Sequence, residues 1–209
     1  ESKLIEETDY KLELETSMRL TEASAHLDNI IFPTYYPEFS NARILTMDWV
    51  DGQHLKDWLA TNPDQASRDK IGQAMWDFYN FQMHELKEVH ADPHPGNFLV
   101  TKDGKLVIID FGCVKKIPED FYRPYFRLLN KDILDKDFNL EALFLELGFI
   151  TEKDSAKDKK FFLDLFKEMI ELLGKPFRAE TFDFGDDEYF KQIFEVGERV
   201  SKMQEVRKS

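Results

Sequence analysis

An α+β fold, helical for most of its length with one small hairpin near its centre, follows from three features of this sequence. Ile71, Met75, Phe78, Gln82 and Leu86 recur at helical spacing, which predicts an amphipathic helix over 66–87. Residues 98–101 and 105–109 read as two short strands joined by Lys102-Asp103-Gly104, a hairpin turn. Beyond Gly112 the pattern is helical throughout, at 119–134, 137–147, 153–173 and 187–206.

Residues 3–28 predict one long helix. On a helical wheel Asp9, Glu13, Thr16, Leu20, Ala23 and Leu27 share a stripe, so two carboxylates stand in line with core-type residues. Like charges four apart disfavour a helix, and a buried carboxylate is costly without a partner. A cation is expected beside them, either a lysine or Mg²⁺; a solvated acidic helix end is the alternative. A connector with Pro33 and Pro37 leads to an apolar strand over 43–50, ending at Asp51-Gly52. A short helix over 55–60 stops before Asn62-Pro63, and 88–96 reads as loop. Phe161, Phe162, Leu165, Phe166, Met169 and Leu173 form an apolar face on the helix 153–173. The acidic run 183–188 reads as a solvated connector. There are no internal repeats.

Composition narrows the function classes. The 209 residues suffice for one domain or a core with an appendage, and 42% hydrophobic content with 19 Phe supports a real core. A net charge of −13 argues against a nucleic-acid partner, which would call for a basic face. One cysteine, Cys113, excludes an internal disulfide and fits a reducing, cytoplasmic location. No apolar run approaches the roughly 18 residues that cross a bilayer, so any membrane contact is expected to be peripheral, at an inner-membrane surface. The chain lacks an initiator Met and opens in what reads as mid-helix, so a piece of a longer protein is expected.

The chemistry is concentrated in 90–112. His90-Ala91-Asp92-Pro93-His94-Pro95-Gly96-Asn97 precedes the hairpin, and Asp110-Phe111-Gly112 closes it. ATP chemistry needs one carboxylate to orient or deprotonate the acceptor, and a carboxamide and second carboxylate to hold Mg²⁺. Asp92, Asn97 and Asp110 stand in that order at the spacing of a protein-kinase catalytic loop and metal-binding turn. Pro93 and Pro95 stiffen the loop, and Gly96 permits close approach to phosphate or metal. The hairpin brings Asn97 and Asp110 together, and two oxygen donors suit Mg²⁺, which keeps its other positions for water and phosphate. His90 reads as a structural residue of the loop, and His94 either braces the loop or approaches phosphate. Met47, Asp48 and Val50 would form an adenine-contacting hinge through main-chain groups. The predicted fold is therefore protein-kinase-like: mainly the helical C-lobe, 53–209, with an N-lobe remnant, 1–52, comprising an αC-type helix and hinge strand.

These residues resemble the UbiB family of atypical kinases, the aarF-domain or coenzyme Q-associated kinases. The match rests on Glu7-Thr8-Asp9-Tyr10-Lys11-Leu12-Glu13, on 45–52, on 90–97 and on 109–112. By that resemblance Glu7 and Asp9 belong to the family's acidic motif, and Glu13 pairs with an ATP-binding lysine. Asp92 is then the catalytic aspartate, with Asn97 and Asp110 as Mg²⁺ ligands. The N-lobe strands, that lysine and the family's KxGQ segment have no counterpart here, and Leu14 replaces the usual Ala. The expectation is an ATP- and Mg²⁺-dependent enzyme in the full-length protein, with this portion alone not turning over ATP.

The acceptor is expected to be a small molecule or lipid. About six residues separate Gly112 from the helix at 119, spanning at most about 20 Å, too short for a peptide-docking activation segment. Ala91 replaces the Arg that would read an activation-loop phosphate. The resemblance implies support of coenzyme Q or related isoprenoid-lipid metabolism at a membrane surface. Two other readings stand beside it: a small-molecule phosphotransferase of the aminoglycoside or choline kinase type, and a non-catalytic nucleotide-binding module.

Overall fold

The computed structural model describes residues 10–91, 94–128, 133 and 138–208, with side chains to 201. Two compact units form, 1–117 and 118–209.

The first unit contains α1, Tyr10–Ser24, and β1, Ile30–Ile31. Next come β2, Gln53–His54; α2, Leu55–Ala60; and α3, Gln65–Phe81. Four short strands complete it: β3, Glu88–His90; β4, Phe98–Val100; β5, Leu106–Ile108; and β6, Val114–Lys116. Strands β4 and β5 are the predicted hairpin, in register Phe98 with Ile108 and Val100 with Leu106. The sheet order is β1-β5-β4-β2, with β1 parallel to β5. Both hairpin strands are buried at every position, so their apolar runs are continuous rather than alternating.

Helix α3 starts where the Asp64 carboxylate accepts the Ser67 amide at 2.8 Å. Its stripe is the predicted one: Ile71 and Phe78 are buried with Leu20, Phe98, Val100, Leu106, Ile108 and Phe111 in one core. Gln82, the polar member of that stripe, is fully buried, its Oε1 accepting the His90 amide at 2.7 Å. The helix widens into a π-turn over Gln82–Leu86 and ends at Lys87, in the left-handed conformation at φ 54°.

Three expectations are corrected in this unit. The buried face of α1 runs Leu14, Ser17, Leu20 and Ser24, so Glu13 and Thr16 lie half-buried on its flank. The stretch 88–96 is not all loop, because β3 pairs antiparallel with β6 from Glu88–Lys116 to His90–Val114. The hinge strand over 43–50 does not form. Two isolated bridges stand in its place, Ile44 to Asn41 and Met47 to Tyr35, the latter flanked by the bonds Tyr36 N to Thr46 O (2.9 Å) and Asp48 N to Thr34 O (2.8 Å). The segment that pairs with Met47 turns away at the 3₁₀ turn Pro37–Phe39, and the Thr46 amide is taken by the Ser40 hydroxyl at 2.9 Å, so the ladder stops there.

The second unit holds α4, Glu119–Arg127; α5, Leu140–Glu146; α6, Ala156–Arg178; and α7, Asp187–Lys208. The helical expectations over 129–132 and 134–137 lie outside the described residues. Asn139 caps α5 and Ser155 caps α6 through side-chain oxygens. Phe144, Ile150, Phe162 and Ile170 build one core, and Leu165, Leu172 and Val196 join α6 to α7. Phe161 and Leu173, read as part of the apolar face, are 54% and 41% exposed; Ile170 and Leu172 are buried in α6.

Phe78 is fully buried and touches the rings of Phe32 and Phe111. Phe78→Ala is expected to destabilise the first unit by about 3–5 kcal/mol, measured as a lowered urea midpoint.

Candidate active site

The turn at Asp110-Phe111-Gly112 is held by its middle residue. Phe111 is 1% exposed, with ring centroids of Phe32, Phe78 and His90 at 5.9, 6.3 and 6.0 Å. With that ring sunk in the core, Asp110 and Gly112 flank it at the surface. The Asp110 Oδ1 accepts the Gly112 amide at 2.7 Å, a bond that uses one of the two carboxylate oxygens.

Loop and turn are tied together at their bases. The Ala91 amide donates to Cys113 O at 2.8 Å, and His90 Nδ1 lies 3.3 Å from the same carbonyl. His90 is 2% exposed, which matches the structural role read for it. His94 caps the 3₁₀ turn Pro95–Asn97, its Nδ1 accepting the Gly96 amide at 3.1 Å. A Cβ on Gly96 would meet that nitrogen at 2.9 Å, so the cap needs glycine there. The Ile109 amide donates to Asn97 O at 3.1 Å, which sets Asn97 opposite the residue before Asp110.

Glu13 reaches the same turn from α1. A Cβ on Gly112 would sit 3.2 Å from Asp110 Oδ1 and 3.8 Å from Glu13 Oε2. Burial, and secondarily the Asp110 charge, push the Glu13 carboxyl above its ordinary value. Two carboxylates at one glycine are a donor environment for a cation. Among the described residues no three metal-binding side chains converge. A carboxamide and a carboxylate, Asn97 and Asp110, have the donor chemistry that suits Mg²⁺, which is bound through few protein ligands beside water and phosphate.

The 46–50 segment presents its main chain. The Asp48 amide is taken by Thr34 O. The Asp48 carboxylate accepts the Tyr36 hydroxyl at 2.6 Å and is held below its usual range by Thr34 and Tyr36. Val50 makes no hydrogen bond among the described residues, leaving its amide and carbonyl open. Met47 is 38% exposed. Asp92, Glu7 and Asp9, expected as catalytic residue and acidic motif, lie outside the described residues.

Two features escaped the sequence reading. Tyr35 is buried beside this centre, its pKa pushed up to about 12 by burial, with the charges of Glu13 and Asp110 adding to the rise and Ser17 opposing it. Strand alternation between Pro33 and Pro37, which turns Tyr35 inward and its neighbours outward, was the available signal. Glu88 accepts ion pairs from Arg19 of α1 at 2.5 Å and Lys116 of β6 at 3.7 Å, and its side chain is 12% exposed. Nothing in the spacing of Arg19, Glu88 and Lys116 announces that meeting.

Glu13→Gln is expected to raise the stability of the ligand-free chain at neutral pH. The folded carboxyl titrates above its unfolded value of 4.5, so its charge opposes folding above the folded pKa. That cost vanishes as pH falls below 4.5, and the gain in urea midpoint should vanish with it.

Residues 1–142 match the family model described as ABC1 atypical kinase-like domain. An aarF domain-containing protein kinase of Arabidopsis thaliana, chloroplastic, is 31% identical over 80% of this chain and 23% of its own length. An ABC1 family protein of Schizosaccharomyces pombe is 35% identical over 68% and 28%. The mitochondrial atypical kinase COQ8B of Danio rerio is 25% identical over 90% and 29%. The chain thus spans about a quarter of the length of these relatives. In the solved Rv3197–erythromycin complex from Mycobacterium tuberculosis, 46% of the protein chain superposes on 90% of this one, with a TM-score of 0.70. At 22% identity that likeness is one of fold. No helix among the described residues is long and apolar enough to cross a membrane. The predicted kinase-like α+β fold and the aarF-type resemblance are borne out: the chain belongs to the ABC1 atypical kinase-like family.

Proposed function

We propose that this chain carries the Mg-ATP site of an atypical kinase or ATPase whose acceptor is a small molecule or lipid. The observation that carries the reading is the convergence of Glu13, Asp110 and Gly112 at a turn hydrogen-bonded beside Asn97. Asn97 and Asp110 would hold the metal, and the Val50 amide and carbonyl with the Asp48 carbonyl would hold the base. Mg-ATP, when bound, supplies the transferable phosphoryl group and the charge that neutralises its oxygens. Asp92 would orient an attacking hydroxyl or water and accept its proton at a carboxylate oxygen. Glu7 and Asp9 would add the acidic motif, and Glu13 would take a cationic partner. In this division 1–52 acts as N-lobe remnant and 53–209 as C-lobe.

The short stretch of chain after the turn favours a small acceptor. Three of the six residues between Gly112 and α4 belong to β6, paired with β3, which leaves little chain for docking a peptide. The family resemblance points further, to isoprenoid-quinone metabolism at a membrane surface. That assignment concerns proteins of the relatives' full length, of which the chain spans about a quarter.

Calorimetry on this chain should show ATP binding that requires Mg²⁺, and Asp110→Asn should abolish the Mg²⁺ requirement or the binding itself. In a full-length protein Asp92→Asn should keep binding and lose ATP turnover. A well-folded chain that ignores Mg-ATP would remove the nucleotide reading for this chain.

A further inference from the structure

Glu88 opens β3 and stands four residues before Asp92. No motif gives it a role, yet its side chain is only 12% exposed and both of its oxygens are engaged. Oε2 accepts Arg19 Nη2 of α1 at 2.5 Å, and Oε1 faces Lys116 Nζ of β6 at 3.7 Å. Glu88 and Lys116 are also partners in the β3–β6 register. One carboxylate therefore joins α1 to the strand pair that brackets the 90–112 motif.

The link matters because α1 has a thin apolar grip. Its buried face is Leu14, Ser17, Leu20 and Ser24, and of these only Leu20 belongs to the main core. Serine adds little apolar area to an inward face, so packing alone resists sliding or turning of α1 only weakly. A helix moves as a rod, and what holds one part of it places the rest. Arg19 lies six residues beyond Glu13, about 9 Å along the axis. Gly112 and Lys116 are four residues apart, about 13 Å of extended chain. The contacts follow in the same order, Glu13 at Gly112 and Arg19 at the carboxylate shared with Lys116. Helix α1 thus runs along 112–116, clamped at Glu88 and presenting Glu13 at the turn.

We propose that Arg19 and Glu88 are a positioning pair of the nucleotide site, holding α1 so that the Glu13 carboxylate stands at the Asp110 turn and adds to the negative field that attracts Mg²⁺ with ATP. The inference rests on the nucleotide reading above and deepens it.

The test is Arg19→Met, which keeps the apolar stem and removes the charge of a half-exposed side chain. In the ligand-free chain it should speed amide hydrogen exchange along α1 and leave β4 and β5 unchanged. Mg-ATP affinity by calorimetry should fall about fivefold, the scale of one partly buried ion pair, and Arg19→Lys should keep most of it. Adding Glu88→Gln to Arg19→Met should cost nothing more, and neither should Arg19→Met in a Glu13→Gln chain. A loss equally large without the Glu13 carboxylate would overturn the proposal, since the pair would then be a general brace. Unchanged exchange along α1 would overturn it as well. If the natural chain itself does not bind Mg-ATP, the nucleotide reading fails and the inference with it. If it binds and Arg19→Met binds alike, the inference alone fails.

Discussion

The site depends on one short piece of pairing, the antiparallel strands Glu88–His90 and Val114–Lys116. They form the neck of a closed excursion of the chain that contains every residue of the 90–112 motif. Because the Ala91 amide and the His90 ring both meet Cys113 O, the start of the loop and the end of the turn are fastened at one carbonyl. Within the neck, the β4–β5 hairpin returns Asn97 to Ile109. Three residues of strand on each side thus define where a carboxamide and a carboxylate stand relative to each other. Without the neck, the loop would swing on its prolines alone.

The neck also receives α1. Glu88 is nearly buried between Arg19 and Lys116, and removing one partner from a mostly buried carboxylate is more damaging than the modest value of an exposed ion pair suggests. Glu13 sits six residues before Arg19 on the same helix. The electrostatic link at Glu88 and the close approach of Glu13 to Gly112 therefore fix α1 at two points. Between those points lie Leu14 and Ser17, part of the face that packs inward.

Much of this was legible in the sequence where a pattern was local. The α3 stripe, the hairpin with its Lys102-Asp103-Gly104 turn, and the helix Leu55–Ala60 all follow from short-range periodicity and turn chemistry. The strand expected over 43–50 was not there, because the Thr46 amide turns to the Ser40 hydroxyl, a bond that no local pattern announces. The β3–β6 pair was illegible since three residues are too few to show an alternation. Gln82 on an apolar stripe makes sense only once the His90 amide is known to face it. For the site, motif order named Asn97, Asp110 and Glu13, whereas the burial of Tyr35 between two less buried neighbours needed the fold.

The prolines that flank the 34–36 segment carry a consequence of their own. Thr34, Tyr35 and Tyr36 are rich in β-forming side chains, and Ile44 and Trp49 nearby are 54% and 94% exposed. A longer strand here would offer a foreign chain a row of unsatisfied donors beside apolar surface, the conditions for edge-to-edge association. Pro33 and Pro37 hold the segment to three residues, too short a template for intermolecular pairing. Facing away from the 46–48 bridge, the two prolines lack N–H groups on the edge that a neighbouring chain would pair with.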